Sequence, residues 1–110
     1  MALEGLIAQH LRAWASYRSV QAQLYYWRTK SGSEVDFVMY GADVFVAMEV
    51  KRSRHVHRTD LRALKAFQED YPEATVCLLY MGQEEIKIND VLCLPCDSFL
   101  KRLHPKNPIF

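Results

Sequence analysis

Residues 26–51 read Tyr26-Trp27-Arg28-Thr29-Lys30-Ser31-Gly32-Ser33-Glu34-Val35-Asp36-Phe37-Val38-Met39-Tyr40-Gly41-Ala42-Asp43-Val44-Phe45-Val46-Ala47-Met48-Glu49-Val50-Lys51. Two runs rich in β-branched and aromatic residues flank a Gly/Asp turn, which predicts an antiparallel hairpin. Strand side chains alternate between faces. Glu34 and Asp36 are therefore expected on one face, with Val35, Phe37 and Met39 on the other, and Glu49 is expected to share a face with Lys51. If the loop centres on Gly41-Ala42, paired residues have numbers summing to 83, which sets Glu34 opposite Glu49 and Asp36 opposite Ala47. Any odd sum gathers the charged groups on one face, and a slip of one residue would separate them.

Carboxylates on adjacent strands repel one another, and burying them ionised without a partner is costly. A divalent cation resolves the conflict. Oxygen ligands from two strands, completed by water, suit Mg²⁺ or Mn²⁺. A lysine two residues beyond such a ligand can position the attacking water or stabilise charge on a phosphate.

An acidic residue on one strand followed by Glu-x-Lys on the next resembles the PD-(D/E)xK signature of restriction-endonuclease-like nucleases. The longer string, from Tyr26-Trp27-Arg28-Thr29-Lys30 through Glu34-Val35-Asp36-Phe37 to Glu49-Val50-Lys51-Arg52-Ser53, resembles the C-terminal domain of predicted bacterial and archaeal AAA-type ATPases. That domain belongs to a family of unknown function classed with the same nuclease fold. The similarity extends over most of the chain, from Ala2-Leu3-Glu4 to Leu94-Pro95 and Phe99-Leu100. It implies a metal site held by Asp36 and Glu49, with Lys51 positioning water and Glu34 and Glu4 as accessory groups. Related folds carry a glutamate on the first helix that leans toward the metal; the plainer account of Glu4 is a charge favoured at a helix N-terminus. The resemblance also implies that residues 1–110 are one nuclease-like domain, a C-terminal piece of a longer chain whose N-terminal ATPase portion is its partner. No Gly-x-x-x-x-Gly-Lys-Ser/Thr loop occurs in the sequence, so ATP hydrolysis is not assigned to these residues.

At 110 residues the chain is the size of one domain. Half its residues are hydrophobic (50%), but no apolar run of membrane-spanning length occurs. Nothing resembles a secretory leader. The three cysteines suggest no disulfide framework, so a cytoplasmic location is expected. Net charge is only +1, yet Lys51, Arg52, Arg54, Arg58, Arg62 and Lys65 cluster against Asp60 as the only acid between them. Arg52, Arg54, Arg58 and Arg62 are the candidate phosphate contacts, set against the plainer reading of a solvated face. His55 and His57 read as solvated loop residues.

The remaining chain reads as follows. A helix over about Ala2–Tyr17 presents Leu3, Leu6, Ile7, Leu11 and Trp14 on one face. A strand is expected over Gln23–Thr29, with Tyr26 and Trp27 assigned to core packing ahead of base stacking. The turn Lys30-Ser31-Gly32-Ser33 gives Gly32 a positive φ. Thr59 or Asp60 caps a helix to about Tyr71, stopped by Pro72. Ala74–Met81 is a doubly buried strand parallel to the Glu49 strand. Ile86–Ile88 reads as a short edge strand, and Val91–Leu94 as a piece ended by Pro95. Asp97 or Ser98 caps a last helix through Leu103, before an irregular tail. The Cys93-Leu94-Pro95-Cys96 string lacks the second pair a zinc site needs, and is assigned to packing of Cys93 and exposure of Cys96. The expected fold is α/β with a restriction-endonuclease-like core, α-β-β-β-α-β, its mixed sheet flanked by helices. Two functions follow: a Mg²⁺- or Mn²⁺-dependent nuclease acting on nucleic acid, with DNA ahead of RNA, or a nucleic-acid- or protein-binding domain that does not cut. Enzymes of this fold often act as dimers, which adds a second copy of the chain to the expected partners.

Overall fold

A computed structural model describes residues 2–18, 20–28 and 32–110. One mixed sheet of six strands runs through it in the order β1-β2-β3-β4-β6-β5. The strands are β1 (Ala22–Arg28), β2 (Glu34–Gly41), β3 (Val44–Val50), β4 (Thr75–Tyr80), β5 (Ile86–Ile88) and β6 (Val91–Pro95). Helices α1 (Leu3–Ser16), α2 (Arg62–Asp70) and α3 (Cys96–Arg102) flank it. The α-β-β-β-α-β order expected from the sequence is present, extended by β5, β6 and α3.

Strand alternation divides the core in two. On one face Ile7, Leu11 and Trp14 of α1 and Phe99 of α3 cover Phe37, Met39, Val46, Met48, Cys77, Leu79 and Leu94. On the other, Leu61, Leu64 and Phe67 cover Val38, Ala47, Val76, Leu78, Val91 and Cys93. The nearly all-apolar run of β4 is explained by this double cover, as is its parallel pairing with β3, since the connection passes through α2. The start of that helix differs from expectation. Arg58–Leu61 form a 3-10 turn before α2, and Asp60 Oδ2 accepts the His57 N–H at 2.9 Å. His57 is thus the N-cap of this turn, with Asp60 closing the capping box onto it, and Asp60 does not cap α2. At α3 the helix begins at Cys96, directly after Pro95, ahead of Asp97 and Ser98.

Three expectations from the sequence are corrected. First, β2 and β3 pair with numbers summing to 85, as in Phe37↔Met48 and Gly41↔Val44, so Ala42-Asp43 form the turn. The parity is odd as expected, but the loop centre lies one residue further on, and Asp36 is not opposite Ala47 nor Glu34 opposite Glu49. Gly41 explains the shift. It pairs with Ala22 of β1, and a Cβ there would stand 2.4 Å from the Gln21 carbonyl oxygen. Second, β2 carries a bulge: Tyr25 pairs with Val38 but Trp27 with Val35, so Asp36 and Phe37 together face Tyr26. The bulge breaks alternation, sending Val35 to the α2 face while Phe37 and Met39 stay on the α1 face. Third, Cys96 is buried, at 5% exposure, on the α1 face, whereas Cys93 is buried on the α2 face. The two thiols of the CxxC string are on opposite sides of the sheet.

The first turn now has a partial account: Gly32 takes φ +92° as expected, while Thr29, Lys30 and Ser31 lie outside the described residues. The tail beyond α3 is irregular but docked. Trp14 Nε1 donates to the carbonyls of His104 at 3.1 Å and Asn107 at 3.2 Å, and Ile109 is buried in the α1-side core. No helix among the described residues is long and apolar enough to cross a membrane.

The close approach at Gly41 yields a test of this register. Gly41→Ala places a methyl against backbone atoms that cannot rotate away, and should cost about 1–3 kcal/mol in urea unfolding. An unchanged midpoint would contradict the pairing of Ala22 with Gly41.

Candidate functional site

The ladder between β2 and β3 stops at Phe37↔Met48, but β3 continues along β4 through Val50↔Leu79, and the Lys51 N–H donates to the Leu79 carbonyl at 2.8 Å. The opposite edge of β3 therefore loses its strand partner just where Glu49-Val50-Lys51 begins. The Asp36 side chain replaces it. Its Oδ2 accepts the Val50 N–H at 2.8 Å, taking the place of a ladder carbonyl. This charge-assisted bond fixes the Asp36 carboxylate against the backbone between Glu49 and Lys51.

Burial and like charge govern what these groups can do. Glu49 is buried, with 7% of its surface exposed, and is the one charged residue buried among the described residues. Burial pushes its carboxyl up to about 7; the neighbouring Asp36 charge adds to that, Lys51 opposes it, and Asp60 and Glu34 add smaller pushes upward. Asp36 is also raised. Burial is the main cause, outweighing the Val50 N–H that favours its charged form, with Glu4 and Glu34 raising it further and Lys51 lowering it. One lysine thus faces several carboxylates within electrostatic reach. The only ion pairs among the described residues are Arg18 with Asp43 and Arg28 with Glu34, and neither neutralises Asp36 or Glu49.

The structure brings Asp36, Glu49 and Lys51 into one electrostatic unit, and Glu4 and Glu34 join it from its rim. Glu4, in the first turn of α1, Glu34 and Asp36 line an open cleft of about 530 Å³ between that helix and the β1–β2 strands. Glu49 and Lys51 are not in its lining; they flank Val50, whose N–H Asp36 holds. Glu34 is exposed and carries its own partner in Arg28, the residue opposite it on β1. Arg52, Arg54, Arg58 and Arg62 are all exposed along the connection from β3 to α2, as are His55 and His57. Trp27 packs against Phe67 with ring centroids 5.1 Å apart, as expected, but Tyr26 is 67% exposed.

Sequence reasoning missed Arg12 and Arg28, which line the same cleft. A signal for Arg12 existed: Glu4, Ala8 and Arg12 follow a four-residue spacing that places them along one stripe of α1. No sequence signal points to Asp60 as a neighbour of Glu49, because that contact depends on how the 3-10 turn packs. Among the described residues no group of three or more His, Cys, Asp or Glu side chains is arranged to hold a metal ion. An ion here would rest on Asp36 and Glu49, with water supplying the remaining ligands.

A family model described as a domain of unknown function (DUF4143) matches residues 1–99. The chain belongs to this family. No curated protein matches it. The DUF4143 match takes in Glu4, Glu34, Asp36, Glu49, Lys51 and the arginines that follow, so the whole cleft and the groups behind it lie within the family's domain.

The raised carboxyl of Glu49 makes the fold sensitive to pH. Its folded value of about 7 lies above the ordinary 4.5, so between those two values the folded state binds more protons than the unfolded one. Stability from this group is therefore full below about pH 4.5 and falls as pH rises to about 7, by on the order of 1–3 kcal/mol. Glu49→Gln should flatten that decline in urea denaturation and exceed the wild type in stability at pH 8. A variant that keeps the wild-type slope would contradict the assigned burial and repulsion.

Proposed function

We propose that this chain is a restriction-endonuclease-like domain attached to an AAA-type ATPase. In this reading Asp36 and Glu49 hold Mg²⁺ or Mn²⁺, and the domain hydrolyses phosphodiester bonds in nucleic acid, DNA before RNA. The observation that carries the reading is the clasp between Asp36 and the Val50 N–H, which joins the carboxylate of one strand to the Glu-x-Lys of the next. Two raised carboxyls beside a single lysine make a site short of positive charge, and hard oxygen donors of that kind fit a small divalent cation. Bound there, such an ion would neutralise phosphate oxygens and lower the pKa of water.

The chain's own residues divide the remaining work. Lys51 Nζ offers three donors to a phosphate oxygen or to the attacking water. Glu4 and Glu34, at the cleft, accept hydrogen bonds from ordered water. Arg12 and Arg28 at the cleft and the exposed Arg52, Arg54, Arg58 and Arg62 supply cations to backbone phosphates, so binding should weaken steeply with salt.

A second reading is favoured by one observation: an oxygen of Asp36 already serves the fold, and no third carboxylate completes a ligand set among the described residues. On that reading the acids and Lys51 form a structural network in a domain that binds nucleic acid or a protein partner without cutting it.

Two measurements separate these. Supercoiled and single-stranded DNA with millimolar Mn²⁺ should be nicked by the wild type, and the rate should fall at least about a hundredfold in Asp36→Asn and in Lys51→Ala. Asp36→Asn keeps an oxygen for the Val50 N–H, so the fold is retained. Cleavage that survives both substitutions removes the enzymatic reading. Independently, Mn²⁺ should stabilise the wild type by about 1–3 kcal/mol at ten to a hundred times its dissociation constant, and should not stabilise Asp36→Asn. Equal stabilisation of both would remove the ion from this site.

A further inference from the structure

On the α2 face of the sheet lies a second cleft, of about 350 Å³, which shares Tyr26 and Trp27 with the carboxylate cleft. Seven of its nine lining residues are aromatic: Tyr25, Tyr26 and Trp27 of β1, Tyr40 of β2, Phe45 of β3, Phe67 of α2 and Tyr71 just after it. Most of the rings meet edge to face, although Phe67 and Tyr71 lie at only 37° with centroids 4.8 Å apart. Tyr40 and Phe45 meet at 77° with centroids 4.9 Å apart, Trp27 and Phe67 at 87° and 5.1 Å, and Phe45 and Tyr71 at 67° and 5.6 Å. Burial of these rings is incomplete. Tyr40 is 52% exposed, Tyr25 46% and Tyr71 39%, which leaves ring faces open to solvent. Isolated exposed aromatics need no explanation, but a contiguous walled group of them does.

The charge of the lining selects the occupant. Among the described residues, Glu73 is its one acidic residue, and no lysine, arginine or histidine lines it. Ring faces carry negative quadrupole charge, so a box of aromatic faces with a carboxylate at its margin attracts a cation and disfavours a phosphate. The volume is at the small end of the ligand-pocket range, enough for one long side chain. The position of the cleft says how that side chain arrives. β1 is an edge strand of the sheet, and Tyr25 and Trp27 alternate with Tyr26 along it. An extended segment laid beside β1 would turn every second side chain toward the α2 face, where the box opens. We propose that this cleft binds an arginine or lysine side chain presented on an extended basic peptide segment of a protein partner, with β1 as the docking edge. This surface shares Tyr26 and Trp27 with the Asp36 cleft but none of its charged residues, and peptide binding here does not depend on whether that site cuts nucleic acid.

The test uses NMR titration with a hexapeptide of alternating threonine and valine carrying one central arginine. Matched peptides carry glutamine or glutamate in its place, and a thymidine octanucleotide serves as the nucleic-acid probe. The arginine peptide should shift the amides of β1, Tyr40 and Tyr71 and bind more tightly than the glutamine peptide. Tyr40→Leu and Glu73→Gln, both at exposed positions, should each weaken it about three- to thirtyfold; Glu73→Gln should leave the urea midpoint unchanged, and Tyr40→Leu, which loses the ring contact with Phe45, should lower it only slightly. Binding of the glutamine peptide as tight as that of the arginine peptide, affinity unchanged in both variants, no shifts at millimolar peptide, or the octanucleotide alone occupying these residues would each overturn the proposal. If DNA cleavage fails while these shifts appear, only the nuclease reading is lost.

Discussion

The hydrogen bond from the Val50 N–H to Asp36 Oδ2 is the constraint on which the site depends. A strand that loses its neighbour leaves donors bare, and a bare buried donor costs as much as a lost hydrogen bond. Here the donor is met by a carboxylate, and that choice has a consequence beyond the ladder. It brings a negative charge up against the backbone of Glu49 and Lys51, into surroundings that already disfavour charge. The fold completes its ladder and assembles an electrostatically loaded pocket with the same bond.

The bulge in β2 is what allows it. With perfect alternation Val35 and Phe37 would share a face; instead Val35 enters the α2-side core and Phe37 the α1-side core. The extra residue absorbed at Asp36-Phe37 is where β2 leaves β3, so bulge, ladder end and carboxylate occupy one place. Bulges recur beside sites in sheets because they re-aim side chains without ending the sheet. Behind this point β4 is flanked by α2 and α3, and the parallel ladder between β3 and β4 continues to Lys51.

Much of this was legible in the residues. The hairpin, the parallel β4, the odd parity of the pairing and the placement of Asp36 near Glu49 and Lys51 all follow from strand period and turn chemistry. The exact register was not, because Gly41 lies where a side chain has no room beside Gln21 and Ala22, an approach between segments about twenty residues apart. The bulge was hidden for a related reason: Val35, Asp36 and Phe37 read as ordinary alternation, and only the pairing with β1 reveals the additional residue. Cys96 was expected to be exposed, yet α3 carries it into the α1-side core that also holds Ile109 of the tail. Arg28 and Asp60 depend on how β1 and the 3-10 turn sit against the site, which periodicity does not encode.

The central claim is that Asp36, Glu49 and Lys51 act as one electrostatic unit suited to a divalent cation. The most direct measurement is the titration of the Glu49 side-chain carboxyl by ¹³C NMR, with and without Mg²⁺ and in the Asp36→Asn background. The account predicts a wild-type value near 7, lowered by Mg²⁺ and lowered by removing the Asp36 charge. A carboxyl that titrates near its ordinary 4.5 and ignores both changes would contradict it.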